Sequence, residues 1–310
     1  MLGFMRHHAQ IWVPGRCTHR LRAAWFAAWL VLCVDGPVCF AAPVAAVDAA
    51  GQRIQLLVPA QRIISLSPNA TELLFAAGAG GKLVGVGRYS DYPAAAKQLP
   101  VVGDAFMLDV ERILSLSPDL IVAWPGSKAD AVLAPLRELG MPIYFSNPQR
   151  LADIPKELAD LGRLAGTGAA AQRAIVAYRQ QLAALRATYA GRAPFKVFYQ
   201  IWARPLMTIG DQQLLDEALG LCGGVNIFAG LPEAAAVVSE EAVAGADPDV
   251  IMVVGHDGPA QLASWRRLPA LRAVRTGRLL ALDAPGLSRQ APRSLAGVDM
   301  LCRRLDALRR

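Results

Sequence analysis

Residues able to do chemistry are few. His7, His8 and His19 fall in an amino-terminal stretch that reads as a cleavable leader, which leaves His256 as the one mature histidine. One imidazole cannot build a zinc site of several histidines. A Ser-His-Asp triad would have to use His256, which follows a glycine after an apolar run. No G-x-S-x-G elbow occurs. The run "GAGGK" at Gly78–Lys82 invites a phosphate-loop reading, but Leu83 stands where a magnesium-binding hydroxyl belongs and the glycines miss the spacing. It reads as a helix cap and turn. No enzyme activity, metal site or catalytic cofactor is therefore expected.

Aromatic residues occupy the predicted loops instead. Tyr89 and Tyr92 lie in "RYSDYP", Phe106 precedes a helix pattern, and Trp124 and Trp202 each close a strand pattern. A wide cleft with aromatic walls and few charges suits a large, flat, partly apolar ligand. For any single one of them, sealing the core is the alternative. Arg289, in the last irregular stretch, is placed to hydrogen-bond such a ligand or is an ordinary surface arginine.

Two glutamates repeat. "MLDVERILSLSPDLIVAW" from Met107 and "VSEEAVAGADPDVIMVVG" from Val238 align at an offset of 130, which pairs Asp109 with Ser239, Glu111 with Glu241 and Pro118 with Pro248. Asp109 and Ser239 suit helix N-caps, the prolines stop each helix, and the apolar runs that follow suit strands buried on both faces of a parallel sheet. A glutamate in a first turn complements the helix dipole. At equivalent positions of two similar lobes, however, Glu111 and Glu241 (with Glu240 beside it) would project from one side as two separated negative studs.

Around these residues strand and helix alternate, which argues an α/β fold with parallel sheets. Strand signals vanish between Leu151 and Tyr189, where alanine-rich helical periodicity makes a stiff connector. The expected organisation is a signal peptide at 1–41, an extension at 42–61, an amino-terminal lobe at 62–150, a connecting helix at 151–190 and a carboxy-terminal lobe at 191–310. Strand ends of both lobes would face an intervening cleft.

The chain has 310 residues, 54% hydrophobic and 18% charged, and a formal charge of +7. The first 41 residues hold four arginines and one acid, so the remainder carries 28 basic and 24 acidic groups. Nucleic-acid binding calls for basic stripes with interleaved aromatics, and none occurs. Arg16, Arg20 and Arg22 precede "AAWFAAWLVLCV", too short to span a bilayer comfortably, and "VCFAA" offers cleavage after Ala41. An uncleaved anchor is the alternative. Export leaves Cys222 and Cys302, an even pair that reads as a disulfide in an oxidising compartment, or as two buried thiols.

From Arg62 onward the chain resembles the periplasmic binding proteins for iron-siderophores, haem and cobalamin that carry a helical linker. The matching stretches include "RIISLSPNATELLFAAG", "VERILSLSPDLIVAW", "WARPLMTIG", "LCGGVNIF" and "RQAPR". "YSDYP", Trp124 and the two cysteines point to the branch that serves vitamin B12 ABC importers. The resemblance implies two Rossmann-like lobes joined by a backbone helix, with cobalamin as the bound ligand gripped between them. Tyr89 matches the tyrosine packed on the corrin, and Phe106, Trp124 and Trp202 add apolar contact. Arg289 falls on the arginine of the last cleft loop, whose acidic companion is out of register, with Asp283 as its substitute two positions away. Cys222 and Cys302 fall on the family's disulfide. Glu111 and Glu241 fall on glutamates that dock onto arginines of a permease dimer, one lobe to each copy. Two family tryptophans are absent, one replaced by Ala105 and one missing near Ala235. The expected protein is a periplasmic monomer that meets the membrane only through its permease. A haem or ferric-siderophore carrier is the second reading and an exported α/β enzyme the third.

Overall fold

The computed structural model describes residues 42–104, 107–126, 129–210, 214–233, 235–255 and 257–310. Residues 1–41, expected as a leader, and Phe106 and His256 lie outside the described residues.

An antiparallel hairpin comes first, β1 (Val44–Val47) and β2 (Arg53–Leu56). The first lobe follows as β3 (Ile63–Ser65), α1 (Pro68–Ala76), β4 (Leu83–Val86), α2 (Val110–Ser115), β5 (Leu120–Ala123), α3 (Ala129–Glu138) and β6 (Ile143–Phe145). Helices α4 (Ile154–Leu164) and α5 (Gly168–Tyr189) come next. The second lobe opens with β7 (Phe195–Gln200), β8 (Trp202–Ala203), β9 (Leu206–Ile209), α6 (Leu214–Leu221) and β10 (Gly224–Asn226). It continues through β11 (Ala235–Val237), α7 (Glu240–Ala246), β12 (Val250–Val254), α8 (Gly258–Ala263), α9 (Arg272–Arg275), β13 (Leu279–Leu282) and α10 (Ser294–Arg309).

Each lobe is built on a four-stranded parallel sheet, ordered β4-β3-β5-β6 in the first and β10-β7-β12-β13 in the second. The two orders are equivalent, since the first strand of each lobe lies between its second and third. The continuous apolar runs behave as strands covered on both faces should: all of β3 and β5, and all of β12 but its last residue, are buried.

The internal repeat extends beyond its residue types. Asp109 and Ser239 each cap their helix through the side chain, accepting from the amides of Arg112 (2.9 Å) and Ala242 (3.1 Å). Asp119 accepts from the Arg62 amide at 3.0 Å and Asp249 from the Lys196 amide at 2.8 Å, so each clamps the start of the lobe's first strand. The cations of Arg62 and Lys196 return to carbonyls at the ends of α2 and α7, those of Leu116 (2.7 Å) and Ala246 (3.5 Å).

The connector is two helices rather than one. Gly166 at φ 67° ends α4 in a Schellman arrangement, with Thr167 N donating to the Gly162 carbonyl at 2.7 Å and Gly166 N to that of Arg163 at 3.1 Å. Along α5 the buried residues Ala171, Ile175, Tyr178, Leu182, Leu185 and Tyr189 recur at helical spacing. That stripe belongs to a single apolar cluster running from Ile63 and Leu73 of the first lobe to Val197, Leu219 and Leu305 of the second. A shared core resists hinge motion in a way that a polar linker could not.

Two features were not expected. Residues in the 42–61 extension form the β1–β2 hairpin, whose turn is held by Asp48 accepting from the amides of Ala50 (2.9 Å) and Gln52 (2.8 Å). Lys156 and Arg163 of α4 secure it by donating to the carbonyls of Val47 (3.0 Å) and Ala45 (3.2 Å). The apolar run "KVFYQIW" is also not one strand. It breaks after Gln200, and Trp202 belongs to a separate antiparallel sheet ordered β11-β9-β8. There the turn at Arg204-Pro205 folds β8 back on β9.

Candidate functional site

In parallel sheets the loops after adjacent strands lie side by side at the carboxyl edge, where open α/β sheets hold ligands. In the first lobe that edge carries Ser67 after β3, the loop Gly87–Pro93 after β4 and Trp124 after β5. Tyr89 and Trp124 project from it, 73% and 45% exposed, although both are large aromatics. The Trp124 indole nitrogen donates to Asn147 Oδ1 at 3.2 Å, which fixes the ring's edge.

Tyr89 sits in the left-handed region at φ 68°, a conformation that costs a side-chain-bearing residue about 1–2 kcal/mol. Its neighbours hold it there. Gly87 approaches β3 so closely that a Cβ would lie 2.6 Å from the Leu66 carbonyl oxygen. Arg88 N donates to the Gly103 carbonyl at 2.7 Å, and Thr71 Oγ1 donates to Ser90 Oγ at 3.0 Å within a buried hydroxyl group that includes Ser65. A concavity lined by Gly87, Tyr89, Asp91, Lys97 and Leu99 opens beside the ring.

The corresponding edge of the second lobe carries Trp202, Asp283 and Arg289. Trp202 is 59% exposed and stands in a row across three strands with Met207 and Val237. Asp283 is exposed directly after β13, and Arg289 is half-buried in the loop that leads to α10. The aromatic and polar set is thus divided between the strand edges of the two lobes, and Arg293 reaches from the second lobe to the first. Its guanidinium donates twice to Glu72 of α1, from Nη2 at 2.6 Å and Nε at 3.1 Å, and lies 4.2 Å from the centre of the Tyr92 ring. The sequence marks neither Arg293 nor Glu72 as functional, because no spacing rule links residues 221 positions apart.

Glu111 and Glu241 are exposed in the first turns of α2 and α7. Glu241's own amide and then the Ser239 hydroxyl hold its carboxyl below the usual carboxylate range. Glu240 instead pairs with Arg267. An exposed apolar residue precedes each cap, Met107 at 75% and Val237 at 66% exposure, again 130 positions apart. Cys222 and Cys302 are bonded, which settles the choice between disulfide and free thiols. Among the described residues no cluster of three His, Cys, Asp or Glu could hold a metal ion, and no helix is long and apolar enough to cross a membrane.

Two parallel-sheet lobes, a helical connector inside their common core and exposed aromatics at the strand edges of each lobe define a two-lobed solute-binding protein. The chain belongs to the periplasmic binding protein family, whose model matches residues 63–285. It is 41% identical over 245 residues to the vitamin B12-binding protein of Vibrio cholerae, covering 79% of this chain and 88% of the relative. To that of Yersinia pestis it is 39% identical over 256 residues, covering 82% and 90%. Among solved structures it is similar to the periplasmic vitamin B12 binding protein of Vibrio cholerae, with a TM-score of 0.75, 40% identity and coverage of 81% and 99%. It is also similar to a periplasmic heme-binding protein from Roseiflexus, with a TM-score of 0.71, 25% identity and coverage of 81% and 99%.

Proposed function

We propose that the protein captures cobalamin, or a related corrinoid, between its lobes in the periplasm and delivers it to the permease of an ABC importer. The observation that carries this reading is the 41% identity to a vitamin B12-binding protein along 88% of that relative's length. Exposed aromatics at the strand edges support it, since a corrin ring is broad, flat and apolar on its faces. In this reading Tyr89, Trp124 and Trp202 pack on the ligand, and Arg289 and Asp283 meet its polar rim. Phe106 belongs to the same set and lies outside the described residues. Residues 1–41 act as the leader, the lobes span 62–150 and 191–310 about the connector at 151–190, and the protein works as a monomer. Glu111 and Glu241 dock onto basic residues of the two permease copies, with Glu240 committed to Arg267. The protein binds and releases its ligand unchanged, with no catalytic step.

Visible-range titration with cobalamin, haem and a ferric siderophore tests the reading directly. Saturable binding of cobalamin at one site per chain is expected. Tight haem binding without cobalamin binding would move the protein to the haem carriers of the same family.

A further inference from the structure

We propose that Arg293, on the second lobe, is a positioning residue for ligand capture, setting the conformation of the Gly87–Pro93 loop of the first lobe through Glu72 and Tyr92. The affinity part of this proposal rests on the cobalamin reading; the conformational part does not.

Four observations carry it. The Glu72 side chain is 3% exposed and that of Arg293 22%, so their two-point contact is shielded from water. A carboxylate buried beside Leu73 and Leu74 is strongly unfavourable without its partner, which fixes Arg293 against α1. The same guanidinium covers the Tyr92 ring at 4.2 Å, an arrangement favoured by the ring's quadrupole. Behind it, Gly286 passes so close that a Cβ would lie 3.0 Å from Arg293 Cγ, so the arginine is enclosed by its own lobe as well.

Neighbouring α1 residues thus grip the loop at two points. Thr71 holds Ser90 from within the first lobe, and Glu72 holds Tyr92 by way of the second. Tyr89 lies just before these two pins, in a backbone conformation that an unrestrained tyrosine avoids. Removing the cross-lobe pin should let the loop relax and turn the Tyr89 ring away from its binding pose. Arg293 need not touch ligand for this, because it acts on the loop through Glu72 and Tyr92.

The test uses the full mature protein and three variants, Arg293→Met, Arg293→Lys and Tyr92→Leu. Hydrogen exchange is followed at Arg88, Ser90 and Asp91 without ligand, and cobalamin affinity is measured separately. Arg293→Met is expected to speed exchange in the loop about tenfold, leave β5 and β12 unchanged and weaken cobalamin about tenfold, with Arg293→Lys restoring part of both. If Arg293→Met does not fold, Tyr92→Leu, which leaves the buried ion pair intact, should still loosen the loop. Loop exchange at the wild-type rate in every folded variant would overturn the proposal, as would a loosened loop with unchanged affinity. Wild-type protein that takes up no cobalamin would sink the ligand reading instead, and loop exchange would still decide whether Arg293 sets the loop.

Discussion

Ser117 and Asp247, 130 positions apart, share a backbone conformation: both are left-handed, at φ 44° and 43°, and each is followed by a buried proline. The conformation turns the chain sharply from helix to strand before the proline forbids further helix. Their side chains differ in use. Asp247 accepts from the Arg272 amide at 2.9 Å, whereas Ser117 makes only a long contact to the Leu114 carbonyl at 3.5 Å. Ser117→Gly should therefore stabilise the protein by about 0.5–1 kcal/mol. Asp247→Gly should be neutral or destabilising, since the bond is lost as the strain is relieved. Chemical denaturation of the two variants side by side decides this.

Tyr89 combines strain with exposure, as a residue held ready for a partner does. Tyr89→Ala should weaken cobalamin by about 1–3 kcal/mol, the range for an aromatic buried on binding, and leave the melting temperature within a few degrees of wild type. Calorimetry that finds unchanged affinity would remove Tyr89 from the site.

Glu157 of the connector helix α4 is buried against the first lobe, where its Oε2 accepts from Ser146 Oγ at 2.8 Å and Tyr144 OH at 3.3 Å. Burial pushes its carboxyl up to about 6, against the opposing pull of Ser146 and Lys156. The folded state thus binds this proton more tightly than the unfolded state, where the group titrates near 4.5. The stability it contributes is present below that lower value and is lost as pH rises through 6, by about 1–2 kcal/mol. Glu157→Gln should flatten the pH dependence of melting between 4.5 and 6 and raise stability at pH 7. A variant whose pH profile matches wild type would contradict this.

The Cys222–Cys302 bond closes a segment of 80 residues, for which the chain-entropy model allows up to about 4–5 kcal/mol. Reductant should lower the denaturant midpoint of the wild type but not that of a Cys222→Ala/Cys302→Ala variant. Unfolded, unreduced mature protein should show no free thiol.

On the docking reading, reversing Glu111 and Glu241 to lysine should leave ligand affinity intact and slow association with the permease about tenfold at low salt, less at physiological salt. Surface plasmon resonance at two ionic strengths measures both. Normal association of the double variant at both salt concentrations would return the glutamates to a role in helix electrostatics alone.

Much of this architecture was legible because it is written locally. Proline, an N-cap three residues before the amide it binds, and an apolar run are all short-range signals, so both copies of the repeat could be read. The disulfide was legible from the even pair of cysteines that lies beyond the expected leader. What escaped depends on distance or on small energetic margins. The Arg293–Glu72 pair joins residues with no common pattern, and the loop that carries Tyr89 is held by a bond between Thr71 and Ser90, 19 positions apart. The break after Gln200 was hidden because an apolar run reads the same in one long strand or two short ones. The hairpin at Val44–Leu56 was hidden because four-residue strands carry too little periodicity to be told from loop.

Helix α10 begins beside Arg293 and carries Cys302 nine positions along, about 14 Å at the rise of an α-helix. Midway along its length this rod is welded to the chain at Cys222, and its first turn clasps the opposite lobe. The carboxy-terminal helix is thus a tie-bar between the lobes, and shortening the protein from its tail would first remove Arg309, which holds the carbonyls of Ala193 and Cys222 beside the second sheet, before it reached the clasp on the first lobe.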